Sequence, residues 1–457
     1  MKRIISILMT LVLLAALTAC GTAGDQSGSA VSSGEETEQA PSTEKLEPFC
    51  TTAVIEETLL TEENGVRITA TELTYSAYSA DLKLTIENNS GKNLSFTSGT
   101  LGYSCNSING MMVESGYLNC DVSDGKKSVE TVSFDFASLQ LYGIREIAEL
   151  ELGICASDED YNETYFAPAR IVTSAGAEGA ECRYRETITG AAAQNTFSYE
   201  LLSFAEDQLY EEDGVAVLSQ ALIRNADGEE ALMVEVENRA EELRVLSAGD
   251  ISINGLQVER GIWSSTMVAP GKRAVIGIEL ENVLEKSCRE ACGMESIGSV
   301  GFDLRQFSLE GSQLTEDRTV SVPCAGESPL DLSGTELYSQ NGIRITALAV
   351  LEPADEYDSR FHVLLAAENG GDGDVELEIP HQTLSVNGFM ADDYGHTWEL
   401  RAGQKTLMEL ELDEDDLEEL GITGADQITQ LEFELEVSQG RTVLDHPTIL
   451  FDRSETT

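Results

Sequence analysis

The chain is expected to be all-β, built from three tandem β-sandwich repeats, and three observations predict this. The phrase SINGMMVESG at Ser107 returns as SINGLQVERG at Ser252 and as SVNGFMADDYG at Ser385. Short segments alternate apolar and polar residues with a period of two, as half-buried strands do. Turn residues punctuate the chain about every ten positions, and the long amphipathic helices of an α/β fold are missing.

With 457 residues and 41% hydrophobic content, the chain is long enough for about three domains, each with its own core. Asp and Glu number 82 against 28 Lys and Arg, a formal charge of −54. That field repels phosphate backbones, so nucleic acid is excluded as a partner. Solvation of the surface accounts for the acidity.

The elements follow in order. Lys2 and Arg3 precede an apolar run from Ile4 to Ala16, too short to span a bilayer comfortably, and Leu17-Thr18-Ala19-Cys20-Gly21 closes it. The stretch is a secretory signal, and LTAC before Gly resembles a bacterial lipobox. The resemblance implies cleavage of residues 1–19 and diacylglycerol on the Cys20 sulfur, two acyl chains that make a stable anchor on the extracytoplasmic face of the cytoplasmic membrane. Residues 20–52 are Gly, Ser, Thr, Glu and Ala with few large apolar side chains, a disordered tether spanning on the order of 30 Å.

The repeats are expected at residues 53–180, 195–325 and 330–454. Each opens on a Gly-hydrophobic turn (Gly65-Val66, Gly214-Val215, Gly342-Ile343) and continues into a strand ending Glu-Asn at Asn88, Asn238 or Asn369. The Asn-Gly hairpin comes next; Asn and Gly tolerate positive φ at both central positions and so set one register three times. The Gly-Lys or Gly-Gln-Lys turn at Gly125, Gly271 and Gly403 lies 16 or 17 residues past the hairpin Asn. Lys126, Lys272 and Lys405 beside it read as solvated turn residues. Each repeat then has a strand, a short helix closing on Gly143, Gly293 or Gly421, and a last alternating strand, clearest in LEFELEV at Leu431.

SVNG followed by AGQK, DLEELGI and ITQLEFEL resembles an uncharacterised immunoglobulin-like domain family of Gram-positive, mostly clostridial, lipoproteins. The second repeat departs with LEKSCREACGM and the first with FASLQLYGI. The resemblance spans about 400 residues and implies three immunoglobulin-like cell-surface modules in a Gram-positive host. It carries over no catalytic residue.

Eight cysteines follow Cys20, an even number in an exported chain, which permits disulfides. Cys105 and Cys120 flank the first hairpin and are candidates to bridge. Cys288 and Cys292, four apart on the second helix, suit either a bridge or two thiols. No CxxC pair suggests a zinc ribbon or a redox motif.

Enzyme signatures are absent: no GxSxG, HExxH or phosphate-cradling Gly loop occurs, and the SxxK at Ser42 lies in the tether. All four histidines fall in the third repeat without ligand spacing; His396 follows Asp392 and Asp393, but reads as an exposed loop residue, so no metal site is expected. Asp158 begins an EF-hand-like run, yet Glu163 stands where Gly is needed and Ala169 where Glu is needed. Calcium is left only a looser site among carboxylate-rich loops near the repeat ends, and no cofactor is expected.

Tyr117 and Trp263 stand eight residues before their Gly-Lys turns, and Trp398 five before Gly403. They read either as sandwich-core aromatics or as ligand contacts stacking on a sugar or peptide. The expected function is a non-catalytic binding or adhesion module for a protein or glycan. The alternative is a structural spacer or envelope-assembly component; a transporter's substrate-binding lipoprotein would need two α/β lobes.

Overall fold

A computed structural model describes residues 44–98, 106–176, 182–258, 264–280, 286–326, 330–353, 359–391 and 395–453. The fold is nearly all β, organised as β-sandwich repeats. The lipobox, Cys20, Cys105 and Trp263 lie outside the described residues. The chain divides into two compact units, one holding the described residues up to Ser247 with Ser264–Ile278 and Arg305–Asp317, the other Ala248–Trp263, Glu279–Leu304 and the residues from Arg318. The second repeat supplies strands to both.

In the first unit, Thr58–Glu63, Val66–Tyr75, Ser79–Asn88 and Lys126–Asp135 form an antiparallel sheet in that order. Ser79–Asn88 alternates buried and half-buried positions along its length, burying Leu82, Leu84 and Ile86. A longer sheet faces it, containing Leu118–Val122, Leu94–Ser98, Glu149–Ser157, Asn106–Ile108 and Met111–Val113. It continues into the second repeat through Arg273–Glu279, Glu230–Asn238, Val215–Asn225 and Tyr199–Ala205.

Two departures from expectation concern this unit's margins. Leu46 and Phe49, at the end of the expected tether, pack on the core, and Phe49 stacks on Phe136 with centroids 4.4 Å apart. Burying these two large apolar side chains holds residues 46–49 against the first repeat. Between repeats, Tyr184–Thr189 and Ala191–Phe197 form two short helices that sink Tyr184, Ile188 and Phe197 into the same core.

In the second unit, Thr335–Gln340, Ile343–Leu351, Arg360–Asn369 and Lys405–Asp413 repeat the four-stranded order of the first. Two small sheets complete the third repeat: His396–Leu400 with Val375–Ile379, Glu436–Gln439 and Thr442–Asp445, and Phe389–Met390 with Ser385–Val386, Gln430–Glu434 and Thr448–Asp452. The core between holds Phe361, Val363, Trp398, Leu417, Leu431 and Phe433.

The repeated sequence markers prove to be anchors. Asn109, Asn254 and Asn387 have φ of 51°, 52° and 50°, each followed by a Gly with positive φ, the geometry of a tight hairpin. Their side chains hold the start of the last strand: Asn109 Nδ2 donates to Glu146 O at 2.8 Å and Oδ1 accepts from Ala148 N at 3.0 Å. Asn254 does the same with Ser296 and Gly298, and Asn387 with Gln427 and Thr429. The Glu-Asn asparagines do equivalent work, with Asn88, Asn238 and Asn369 donating to Val122 O, Val268 O and Leu400 O at 2.7, 2.7 and 3.0 Å.

The three expected helices form at Phe136–Leu141, Lys286–Ala291 and Glu414–Glu419. Asp135 and Asp413 cap the first and third through their carboxylates. All three end in one bonding pattern around a left-handed Gly: Gly143 N to Gln140 O with Ile144 N to Leu139 O, and the same at Gly293 and Gly421.

Candidate binding surface

Tyr117 lies between the first hairpin and Leu118–Val122 and is 60% exposed. One row of paired residues runs from Asn119 through Thr97 and Cys155 to Tyr165. Tyr117 immediately precedes Leu118–Val122, and continuing that strand's alternation assigns Tyr117 to the side of Asn119; Cys155, in the middle of the row, is buried. Tyr165, also exposed, stands three strands from Asn119 in the row, about 14 Å at ordinary strand spacing. Its hydroxyl donates to Glu163 Oε2 at 2.7 Å, and Glu163 and Asp121 give this outer face an acidic border. Two tyrosine rings on one strand face suit stacking against a neutral or cationic ligand.

Trp398 is a core side chain, 3% exposed, and this corrects its reading as a ligand contact. It sits opposite Leu377 in the strand pairing, and the polar neighbours Thr397 and Glu399 take the outward positions. His396 stacks against it at 5.4 Å rather than standing alone in a loop.

Cys120 is half-buried opposite Phe96; its candidate partner Cys105 is outside the described residues. Cys288 and Cys292 are buried, and no disulfide joins them in this structure. Cys292 Sγ donates to Arg289 O at 3.5 Å, while Cys288 Sγ lies 4.0 Å from Glu409 Oε1.

The turn lysines differ from one another. Lys126 is exposed, as expected of a solvated turn residue. Lys272 is buried and reaches Glu151 Oε1 at 2.7 Å, so its solvated reading is corrected: it bridges from the second repeat to the first. Lys405 is exposed and pairs with Glu368 at 2.9 Å.

Clusters with metal-ligand chemistry carry their own counter-charges. Asp158 accepts from Asp160 N and Asn162 N, and Lys92 Nζ binds it at 2.5 Å, so an ammonium occupies the place an EF-hand-like loop would offer a cation. His362, Glu409 and Glu411 bring ligand atoms within 4.8 Å of one another. His362 Nδ1 faces Glu409 at 2.7 Å and Arg360 binds Glu411, so each carboxylate has a basic neighbour. Arg401 likewise sits between Asp250 and Asp303, at 2.9 Å from each.

Sequence reasoning missed a further surface at the third hairpin. Phe389 and Met390 are 56% and 61% exposed on an edge strand, and Leu450 is exposed in the same row as Met390, through Ser385 and Glu432. The available signal was the apolar residue that follows each Ser-x-Asn-Gly phrase: Met111, Leu256 and Phe389.

No protein-family model and no curated protein matches the chain. Among solved structures, a chain from work on host cell surface retention of a 1.5-MDa bacterial ice-binding adhesin is 12% identical, covers 82% of this chain and 88% of its own, and has a TM-score of 0.13. A Bacteroides uniformis β-glucuronidase is 13% identical over 49% of this chain and 26% of its own, with a TM-score of 0.15. Red sea bream transglutaminase is 9% identical over 64% of this chain and 40% of its own, also with a TM-score of 0.15. Similarity this low carries no argument about this chain.

Proposed function

We propose that this chain is a non-catalytic binding module, held on the extracytoplasmic face of the membrane by lipid on Cys20 and presenting a ligand surface on its first repeat. The observation that carries the reading is the exposure of Tyr117 and Tyr165, which strand alternation assigns to one side of the first repeat's sheet. Aromatic rings standing in water on a rigid sheet favour contact with a partner, since they offer large area at little entropic cost. The ligand is a glycan or peptide without net negative charge, because Glu163 and Asp121 border the rings.

Lipidation is tested by Cys20→Ala, which should move the chain from the membrane fraction to the medium and abolish labelling by radioactive palmitate. Binding is tested on immobilised chain against cell-wall fragments, a glycan panel and cationic peptides. A ligand whose affinity falls at least tenfold in Tyr117→Ala and in Tyr165→Ala supports the reading. Binding indifferent to both substitutions, or none across the panel, contradicts it.

A further inference from the structure

Each of the first two hairpins ends against the following repeat in one way. Met111 pairs in parallel with Arg273, whose N–H donates to Gly110 O at 2.9 Å. Leu256 pairs in parallel with Lys405, and Gln257 with Thr406. Met111 and Leu256 each follow an Asn-Gly; Arg273 and Lys405 each stand two residues past the turn Gly. A hairpin edge is therefore added to the next repeat's strand twice, in the same register.

Both halves of this joint recur unused among the described residues. Phe389 is the third residue to follow the Ser-x-Asn-Gly hairpin phrase, after Met111 and Leu256, and Phe389–Met390 is the edge of its sheet. Lys127 is the third residue two past the turn Gly, and Lys126–Asp135 is the edge of the first repeat's sheet. Met111 and Leu256 are fully buried, whereas Phe389 is more than half exposed. On the receiving side, Val275 is buried and its counterpart Val129 is exposed.

The free receiving strand already has the form of a used one. Lys127 pairs with Glu87 at 2.8 Å, as Lys405 pairs with Glu368 at 2.9 Å, each carboxylate lying just before the Glu-Asn asparagine. The charges also match: Lys272 binds Glu151 in the first joint, and their counterparts Lys126 and Glu432 are both exposed.

We propose that the hairpin Phe389–Met390 adds to the strand Lys126–Asp135 of a second copy of this chain, Phe389 opposite Lys127, repeating between molecules the joint used within one. Strand addition supplies backbone hydrogen bonds to an otherwise open edge. The contact is heterologous, so each chain offers one donor edge and one receiving edge, and assembly proceeds beyond a dimer. A charge of −54 per chain opposes it at low ionic strength, so salt strengthens it.

The test uses the chain with Cys20→Ser, unlipidated, in sedimentation velocity across a broad concentration range at low and moderate salt. Species growing past dimer with concentration, and more so with salt, are expected. Phe389→Asp and Val129→Asp, both at exposed positions, should each weaken association at least tenfold. A mixture of the two variants should form a one-to-one dimer and stop, since only one competent donor and one competent receiver remain. A chain that stays monomeric throughout, or one whose association ignores both substitutions, overturns the proposal. Neither residue belongs to the Tyr117 and Tyr165 surface, so this result is independent of ligand binding.

Discussion

Asn109 holds Glu146 through a 2.8 Å bond from its side-chain amide to the Glu146 carbonyl, tying the tip of the first hairpin to the entry of the repeat's last strand. The same amide's oxygen accepts from Ala148 and Glu149, so one side chain satisfies three backbone groups that would otherwise be left unpaired. The equivalent bonds of Asn254 and Asn387 make this the common lock of the three repeats.

Replacing that lock should be costly. Asn109→Ala removes these bonds, worth about 1 kcal/mol each, and forces alanine into a left-handed conformation at about 1 kcal/mol more. Urea unfolding of the full chain should show a loss of about 4 kcal/mol. A loss below about 0.5 kcal/mol would mean that water replaces the side chain without penalty.

Glu235 is fully buried and bound by Arg185 at 2.6 Å, Arg273 at 3.0 Å and the Ser219 hydroxyl at 2.8 Å. Removing one member of a buried ion group leaves the others uncompensated, which costs about 3–5 kcal/mol. Glu235→Gln should destabilise the first unit by that order. Calorimetry showing an unchanged or raised melting temperature would contradict the assignment of Glu235 as the counter-charge for both arginines.

The first unit should weaken in alkali. Burial pushes the Cys182 thiol up to about 11 and raises the Tyr184 phenol well above its ordinary range, with Glu235 adding to the latter. An unfolded thiol titrates near about 8.5, so above that pH the unfolded chain sheds a proton the native chain keeps. The unfolded state then binds fewer protons, and stability falls as pH rises. The thiol's contribution is fully present below about pH 8.5 and is lost progressively toward pH 11. The urea midpoint should drop between pH 8.5 and 10.5, with a shallower drop in Cys182→Ala. A flat or rising midpoint would show that these groups are hydrated.

Local features were legible because their physics is local. Asn-Gly at positive φ, the Asp135 and Asp413 caps and the Gly that ends each short helix need only a few neighbouring residues. The helices Tyr184–Thr189 and Ala191–Phe197 went unread because each is too short to show periodicity and is held by the tertiary burial of Tyr184 and Phe197. Tyr117 and Trp398 both precede a Gly turn in their repeats, by eight and five residues; the odd offset of three puts them on opposite phases of strand alternation, with Thr397 and Glu399 facing out beside the buried Trp398. The joint between Met111 and Arg273 joins residues far apart in sequence, and a single parallel bridge leaves no pattern in either segment. Lys272 was misread for the same reason, since its partner Glu151 belongs to another repeat.

Amide exchange at Arg273 tests the shared sheet most directly, with Lys127 as its counterpart in the same unit. The Arg273 N–H donates to Gly110 O across the joint at 2.9 Å, whereas Lys127 lies on an edge strand. In unassociated chain at low salt, Arg273 should exchange as slowly as the core strands of the first unit and Lys127 far faster. Equal, rapid exchange at both amides would contradict the claim that each repeat is joined to the next by adding a hairpin edge to its strand.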